Sequence, residues 1–242
     1  MTHFYGLLLD QDVPESRGEE LCARMAKAFD PETYAIHEPS AIGRLCVGFA
    51  MPKNLTGRVA MPDMLRQTDG MAVFGDVKLY NGDTISNGRR SPPEIGHKRE
   101  SDISILHRFV RNGSDLSKLN GDFAFGAYDK NTQLLTLVRD QLGNRVLYYA
   151  RRPEGLVFST RIHCFFQIGV DRTDVDPAAL ASCLALAFPG AGKTYYPSIM
   201  ELEPAHRLEI RPDGNRSKRR YWSLQPNADL KFKRDEDWIE HI

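Results

Sequence analysis

Among the residues whose types could do chemistry, one glycine–lysine string, seven histidines and four cysteines come first. Gly190-Ala191-Gly192-Lys193-Thr194 has the glycines, lysine and hydroxyl that cradle a phosphate. That loop requires Gly-x-x-x-x-Gly-Lys-Thr between a strand and a helix. Here the first glycine position is Ala187, at the end of a helical stretch, and Tyr195-Tyr196-Pro197 follow. The string therefore reads as a connecting loop. The histidines are His3, His37, His97, His107, His163, His206 and His241. None stands in a His-x-x-x-His or Glu-x-x-His pair on a helix, so no zinc site is expected. His163-Cys164 would be a nucleophile pair only if the side chains met, and neighbours on a strand point to opposite faces. Cys22, Cys46, Cys164 and Cys183 form no Cys-x-x-Cys pair and read as reduced thiols of a cytoplasmic protein. Lys218-Arg219-Arg220 reads as a solvated turn.

Composition narrows the function classes. The chain has 242 residues, with 32 Lys+Arg against 32 Asp+Glu. A formal charge of zero argues against bulk electrostatic binding to nucleic acid or to a membrane surface. No apolar run approaches the roughly 18 residues of a membrane span. The start, MTHFYGLLLDQD, lacks the basic opening of a signal peptide.

Any site must be held by the elements that hydrophobic periodicity outlines. Phe4 to Leu9 is apolar almost throughout, as in a strand buried on both faces. Residues 15–29 switch to helical spacing, with Leu21, Cys22, Met25 and Phe29 on one side and Pro31 as a stop. Strands are expected over 44–51 and 71–79, with a turn at Asn81-Gly82 and a polar surface loop over 86–100. Ser101 and Asp102 suit the cap of a helix through 103–111. Residues 122–129, 133–139, 145–150 and 156–160 read as an antiparallel meander of four strands. Phe123 and Phe125 fall on one face, Ala124, Gly126 and Tyr128 on the other, so layers are expected above and below. Asp176-Pro177 opens a helix to about Ala187, and 206–211 is a late strand.

Two stretches carry a family resemblance. Leu119-Asn120-Gly121-Asp122-Phe123-Ala124-Phe125 leads into Arg139-Asp140-Gln141-Leu142-Gly143-Asn144-Arg145-Val146-Leu147-Tyr148-Tyr149. This resembles the asparagine synthetase family in its amino-terminal glutaminase domain, with Leu-x-Gly-x-Phe-Ala-Phe and Ala-Arg-Asp-x-x-Gly-x-x-Pro-Leu-Tyr-Tyr. Val138 and Val146 replace the alanine and the proline. Thr194-Tyr195-Tyr196, Leu202-Glu203-Pro204-Ala205-His206 and Tyr221-Trp222 resemble the pattern that ends the domain, with Ala205 where glycine is usual. The resemblance implies an α+β fold of the amino-terminal-nucleophile type: a four-layer αββα sandwich, two antiparallel sheets between helix layers.

The resemblance also implies a chemistry that this sequence departs from. In the family a terminal cysteine attacks the glutamine amide, with its own α-amine as base. Thr2 stands at that position, and with Met1 in place its nitrogen is an amide that cannot act as a base. The family's Arg-Gly-Pro-Asp arginine holds the substrate carboxylate; the comparable stretch 29–41 has no arginine. The family's Asn-Gly-Glu-Ile-Tyr-Asn supplies the oxyanion hole from its first Asn and Gly. Phe74-Gly75-Asp76-Val77-Lys78-Leu79-Tyr80-Asn81 fits there, so Phe74 replaces the asparagine while Gly75 remains. Losing one such donor costs roughly 2.7–4 kcal/mol of transition-state stabilisation. Asp102 matches the family's substrate-binding aspartate, its other reading being the helix cap. The Asp-x-Lys-Leu-x-Asn variant is similar to ligases without glutamine-derived ammonia, among them β-lactam synthetases and lasso-peptide macrolactam synthetases.

These readings lead to a set of expectations. Residues 1–222 form a glutaminase-like domain, and 223–242 a linker and the start of a truncated ligase domain. The function expected is that of a non-hydrolysing scaffold for an ATP-binding ligase domain in the same parent protein, with Thr2, Gly75 and Asp102 marking a vestigial pocket. No cofactor or metal is expected in this chain; ATP and magnesium belong to the ligase domain, whose Ser-Gly-Gly-x-Asp-Ser loop does not occur in 1–242. A peptide substrate and a homodimer are the further partners considered. The rival readings are a working glutaminase using Thr2 and a freestanding binding protein. Asp235 to Ile242 carries Trp238, Ile239 and Ile242 as an unfinished helical stripe, which marks a chain that continues.

Overall fold

The computed structural model describes residues 2–55, 63–68, 70–86 and 100–225. Its helices are α1 (Glu15–Ala26), α2 (Gly82–Ile85), α3 (Asp102–Arg111), α4 (His163–Gln167) and α5 (Pro177–Leu186). The strands are β1 (His3–Leu9), β2 (Tyr34–Ile42), β3 (Leu45–Pro52), β4 (Leu65–Thr68), β5 (Met71–Leu79), β6 (Gly121–Asp129), β7 (Leu134–Arg139), β8 (Tyr148–Arg152), β9 (Gly155–Ser159), β10 (Met200–Glu201), β11 (His206–Ile210) and β12 (Arg216–Arg220). They form two antiparallel sheets, ordered β10-β8-β9-β1-β3-β2 and β12-β11-β7-β6-β5-β4.

Three apolar layers bind the sheets and helices into the expected αββα sandwich. Alternate residues of each strand face opposite ways. Phe4 and Leu8 of β1 meet Phe74 of β5 and Ala124 and Tyr128 of β6 in the core between the sheets. Tyr5, Leu7 and Leu9 pack outward on Leu21, Cys22 and Met25 of α1 and on Phe165 of α4. On the far side, Phe123 and Phe125 of β6 pack against Ile103, Leu106 and Phe109 of α3. Both faces of β1 and β6 are thus covered, which accounts for their near-continuous apolar sequences.

Several local expectations are corrected. The four-strand meander does not exist: β6 and β7 lie in one sheet, β8 and β9 in the other. The chain changes sheets over Asp140–Leu147, where a buried aspartate organises the backbone and delays β8 to Tyr148. His163-Cys164 lies on the short helix α4, not a strand. Gly82 begins α2 instead of completing a hairpin turn. Lys218-Arg219-Arg220 belongs to the edge strand β12, where exposed charge discourages pairing with another sheet. Ser101 occupies the N-cap of α3 but makes no side-chain cap bond; its hydroxyl meets Ser104 Oγ at 3.0 Å. The stripe of Trp238, Ile239 and Ile242 and most of the 86–100 loop lie outside the described residues.

Candidate functional site

Thr2 sits at the head of the central strand β1. It is 6% exposed, and the two-residue period of the strand puts it on the face of Phe4 and Leu8, toward the second sheet. Across the gap stands Phe74. Its ring meets Phe4 edge-on at 5.7 Å and stacks on Phe158 at 5.6 Å. Phe74 pairs in register with Gly126 of β6, and a Cβ on Gly126 would lie 2.2 Å from the Phe74 ring. The ring thus fills space that a side chain on Gly126 would need. Phe74, which the resemblance sets in the oxyanion asparagine's place, is a fixed part of the apolar core.

Gly75 is spoken for as well. Its N–H donates to the carbonyl of Met64 at 2.9 Å, extending the β4–β5 ladder by one bond. A Cβ there would lie 2.4 Å from the carbonyl oxygen of Ala124, so β6 passes too close for any side chain. Of the two groups that the family resemblance assigns to the oxyanion hole, one has no donor and the other has spent it.

Next along β5, Asp76 forms an ion pair with Arg145, Oδ2 to Nε 3.2 Å, without the alignment of a hydrogen bond. Burial raises the Asp76 carboxyl above the usual range, and Arg145 pulls it part of the way back. Arg145 is delivered by the sheet-switching loop. The carboxylate of Asp140, fully buried, accepts from the N–H groups of Leu142, Asn144 and Arg145 at 3.2, 2.9 and 2.9 Å. Arg139 donates to the carbonyls of Arg145, Leu202 and Gly143 at 2.6, 2.7 and 2.9 Å and pairs with Glu201. Tyr221 Oη closes the arrangement by donating to the Arg139 carbonyl at 2.7 Å. The Arg-Asp-x-x-Gly and Tyr-Trp motifs that carry the resemblance are therefore joints of the scaffold.

Asp102 opens α3, and its Oδ2 accepts from Leu79 N–H at 3.1 Å. It ties α3 to the end of β5. Asn81 performs a similar task, donating to the Lys118 carbonyl at 2.8 Å and accepting from Asn120 N–H at 3.0 Å. The one proton of Thr194 Oγ1 is shared between the carbonyls of Tyr196 and Ile199, at 3.0 and 2.8 Å. Both contacts hold its loop in place, and neither serves a phosphate.

Two residues near Thr2 carry no motif. His3 Nδ1 lies 3.1 Å from Thr160 Oγ1, and its ring packs on Phe29 and Tyr34 at 5.4 and 5.8 Å. Burial, helped by the Arg161 guanidinium, lowers the imidazole to about 4. Arg161 lies over the same two rings at 5.1 and 5.6 Å. The stretch 29–41 that lacks an arginine of its own is thus reached by one from 120 or more residues away in sequence. Among the described residues no group of three or more His, Cys, Asp or Glu side chains could hold a metal. No helix among them is long and apolar enough to cross a membrane.

Two antiparallel sheets flanked by helices, with Thr2 buried at the head of the central strand β1, make an αββα sandwich. The chain belongs to the glutamine amidotransferase domain family, whose sequence pattern matches residues 60–222. It is 29% identical over 164 residues to asparagine synthetase (glutamine-hydrolyzing) 3 of Bacillus subtilis, covering 65% of this chain and 26% of that protein. It is 30% identical over 127 residues to amidase chry2 of Gibberella zeae, covering 52% of this chain and 18% of that one. The chain thus spans about a quarter or less of the length of these curated relatives. In structure it is similar to glutamine phosphoribosylpyrophosphate amidotransferase of B. subtilis, with a TM-score of 0.58 at 13% identity, over 92% of this chain and 49% of that one.

Proposed function

We propose that this domain does not hydrolyse glutamine and serves as the scaffold of an ATP-dependent amide- or lactam-forming ligase. The observation that carries the reading is the state of the oxyanion hole. Phe74 offers no hydrogen bond, and the Gly75 N–H is engaged by Met64. Hydrolysis of an amide through a tetrahedral intermediate needs donors aimed at the oxyanion, and neither is available. A ligase whose amine nucleophile is already part of its substrate needs no glutaminase, which is the situation in the lactam-forming branch that Asp76 to Asn81 resembles. The ATP-using chemistry belongs to a further domain of the parent protein. The Gly190–Thr194 loop does not fit ATP, because the Thr194 hydroxyl is committed to two carbonyls.

The purified chain tests the first half of this reading. Incubated with glutamine it should release no ammonia above buffer background. Release that disappears in Thr2→Ala would replace this reading with that of a working threonine glutaminase. The rival is favoured by one feature, the burial of Thr2 at the head of β1.

A further inference from the structure

Among the described residues the two sheets end in four edge strands, and three of them are poor templates for pairing. β2 contains Pro39 and shifts register between His37 and Ser40. β10 is two residues long and β4 four. β12 has no such device. It pairs with β11 in unbroken register from His206↔Arg220 to Ile210↔Arg216 and contains no Gly or Pro. Among the described residues no strand lies on its outer side. Two hydrogen bonds bracket the ladder: Tyr221 N–H donates to the Ala205 carbonyl at 2.8 Å, and Arg211 N–H to the Asn215 carbonyl at 2.9 Å. In an antiparallel pair, bonded and non-bonded positions alternate. Asn215, Ser217, Arg219 and Tyr221 therefore bond toward β11, and the backbone N–H and C=O groups of Arg216, Lys218 and Arg220 point to the open side.

The same three residues carry cations on one face of the sheet, and all three are exposed. Lys218 Nζ reaches Glu203 at 2.5 Å. Arg216 and Arg220 have no acidic partner among the described residues. At Arg220 the edge opens on a cleft of about 540 Å³, with Lys193 and His206 in its wall. The two acids of that cleft, Glu201 and Glu203, already pair with Arg139 and Lys218. Charge of one sign keeps β12 from adding to a copy of itself. It leaves one kind of strand acceptable, a strand whose carboxylates stand directly across from the cations. The open row presents C=O groups as well as N–H groups. A polypeptide strand satisfies both, whereas a phosphate backbone can only accept.

We propose that the outer edge of β12 takes up an extended acidic segment of a partner polypeptide as a further strand, with carboxylates at alternate residues facing Arg216, Lys218 and Arg220. The probe is a fluorescein-labelled peptide of alternating glutamate and threonine, titrated into the purified chain at about 50 mM salt, where the charges are only moderately screened. It should bind saturably. Arg216→Glu with Arg220→Glu, which leaves the Lys218–Glu203 pair in place, should weaken binding by about tenfold or more with the unfolding midpoint unchanged. A peptide of alternating lysine and threonine should be rejected by the unsubstituted chain and bound by that double variant. Amide exchange at Lys218 and Arg220 should slow on binding by about tenfold or more, and by less at Ser217 and Arg219, which already bond to β11. N-methylating the backbone nitrogens of the acidic peptide keeps every charge and removes every donor, and should abolish saturable binding. Equal binding of the N-methylated peptide would overturn the proposal, as would equally tight competition by an oligothymidylate of the same charge, since charge alone would then suffice. Absence of saturable binding to the unsubstituted chain, or binding unchanged in the double variant, would overturn it as well. Glutamine hydrolysis enters none of these readouts, so failure here leaves the scaffold reading standing.

Discussion

Phe74 decides more about this domain than Thr2 does. Replacing a nucleophile leaves a pocket intact, whereas Phe74 sits in the core with Phe4, Phe158 and Gly126. Introducing the asparagine that the resemblance sets at this position should therefore be costly. Phe74→Asn removes a buried ring and strands an amide among apolar groups, a loss of roughly 3–5 kcal/mol by analogy with large-to-small core changes, readable as a lower denaturant midpoint. Thr2→Cys with Phe74→Asn should still release no ammonia, because Gly75 N–H remains bonded to Met64 and catalytic groups act as a unit. Turnover by the double variant would show that β4 yields the donor. His3 gives a second test. In the unfolded chain it protonates near the usual 6.5, in the folded one near 4. Its contribution to stability is complete above about pH 6.5 and falls as pH drops toward 4, where both states carry the proton. His3→Gln should lessen the loss of thermal midpoint between pH 7 and pH 4.5; an unchanged loss would place the titration elsewhere. Thr2, Gly75 and Asp102 were legible because motifs mark them. Arg161 and Arg145 were not, since their places depend on distances across the fold, and the Gly75–Met64 bond depends on a short edge strand without a distinctive pattern.

At the level of elements, legibility followed burial pattern. β1, β5, α1, α3 and α5 have continuous apolar runs, helical periods or clear caps, and their positions agree with the sequence reading. β2 escaped notice because Tyr34–Ile42 is mostly half-buried or exposed, contains Pro39, and shifts register between His37 and Ser40. The sheet switch at Asp140 was invisible because a polar loop between two strands looks the same whether they pair or part. The β5–β6 contact yields a prediction of its own. Gly126→Ala should cost about 1–3 kcal/mol through overpacking, and Phe74→Leu should recover part of that loss in the double variant, as coupled neighbours do. Simple additivity of the two changes would show that they do not touch. Ala205 has φ +61, in the region where an ordinary residue pays about 1–2 kcal/mol. Ala205→Gly should raise stability by about 0.5–1 kcal/mol once glycine's greater unfolded-state entropy is deducted; a lower thermal midpoint would contradict this.

For the molecule as a whole, the family match and the folding unit are not the same stretch. The match begins at residue 60, yet β1 and β3 stand inside the first sheet and β1 separates β9 from β3. A fragment of residues 60–222 would leave β9 with a bare apolar edge and remove α1 with its share of the outer core. It should show no cooperative thermal transition, whereas residues 1–225 should melt as one unit. A sharp transition in the 60–222 fragment would mean that the second sheet and α3 are stable alone.

The antiparallel pairing of β1 with β9 also sets a schedule for synthesis. Phe4 and Thr160, which meet at the end of that pairing, are 156 residues apart. At roughly 5–20 residues per second a ribosome needs on the order of 10–30 s to make the intervening chain. During that interval β1, apolar on both faces, has β3 on one edge and nothing on the other. The second edge of β1 therefore waits for the whole of that interval, and until β9 is made it is an open template for pairing with another chain.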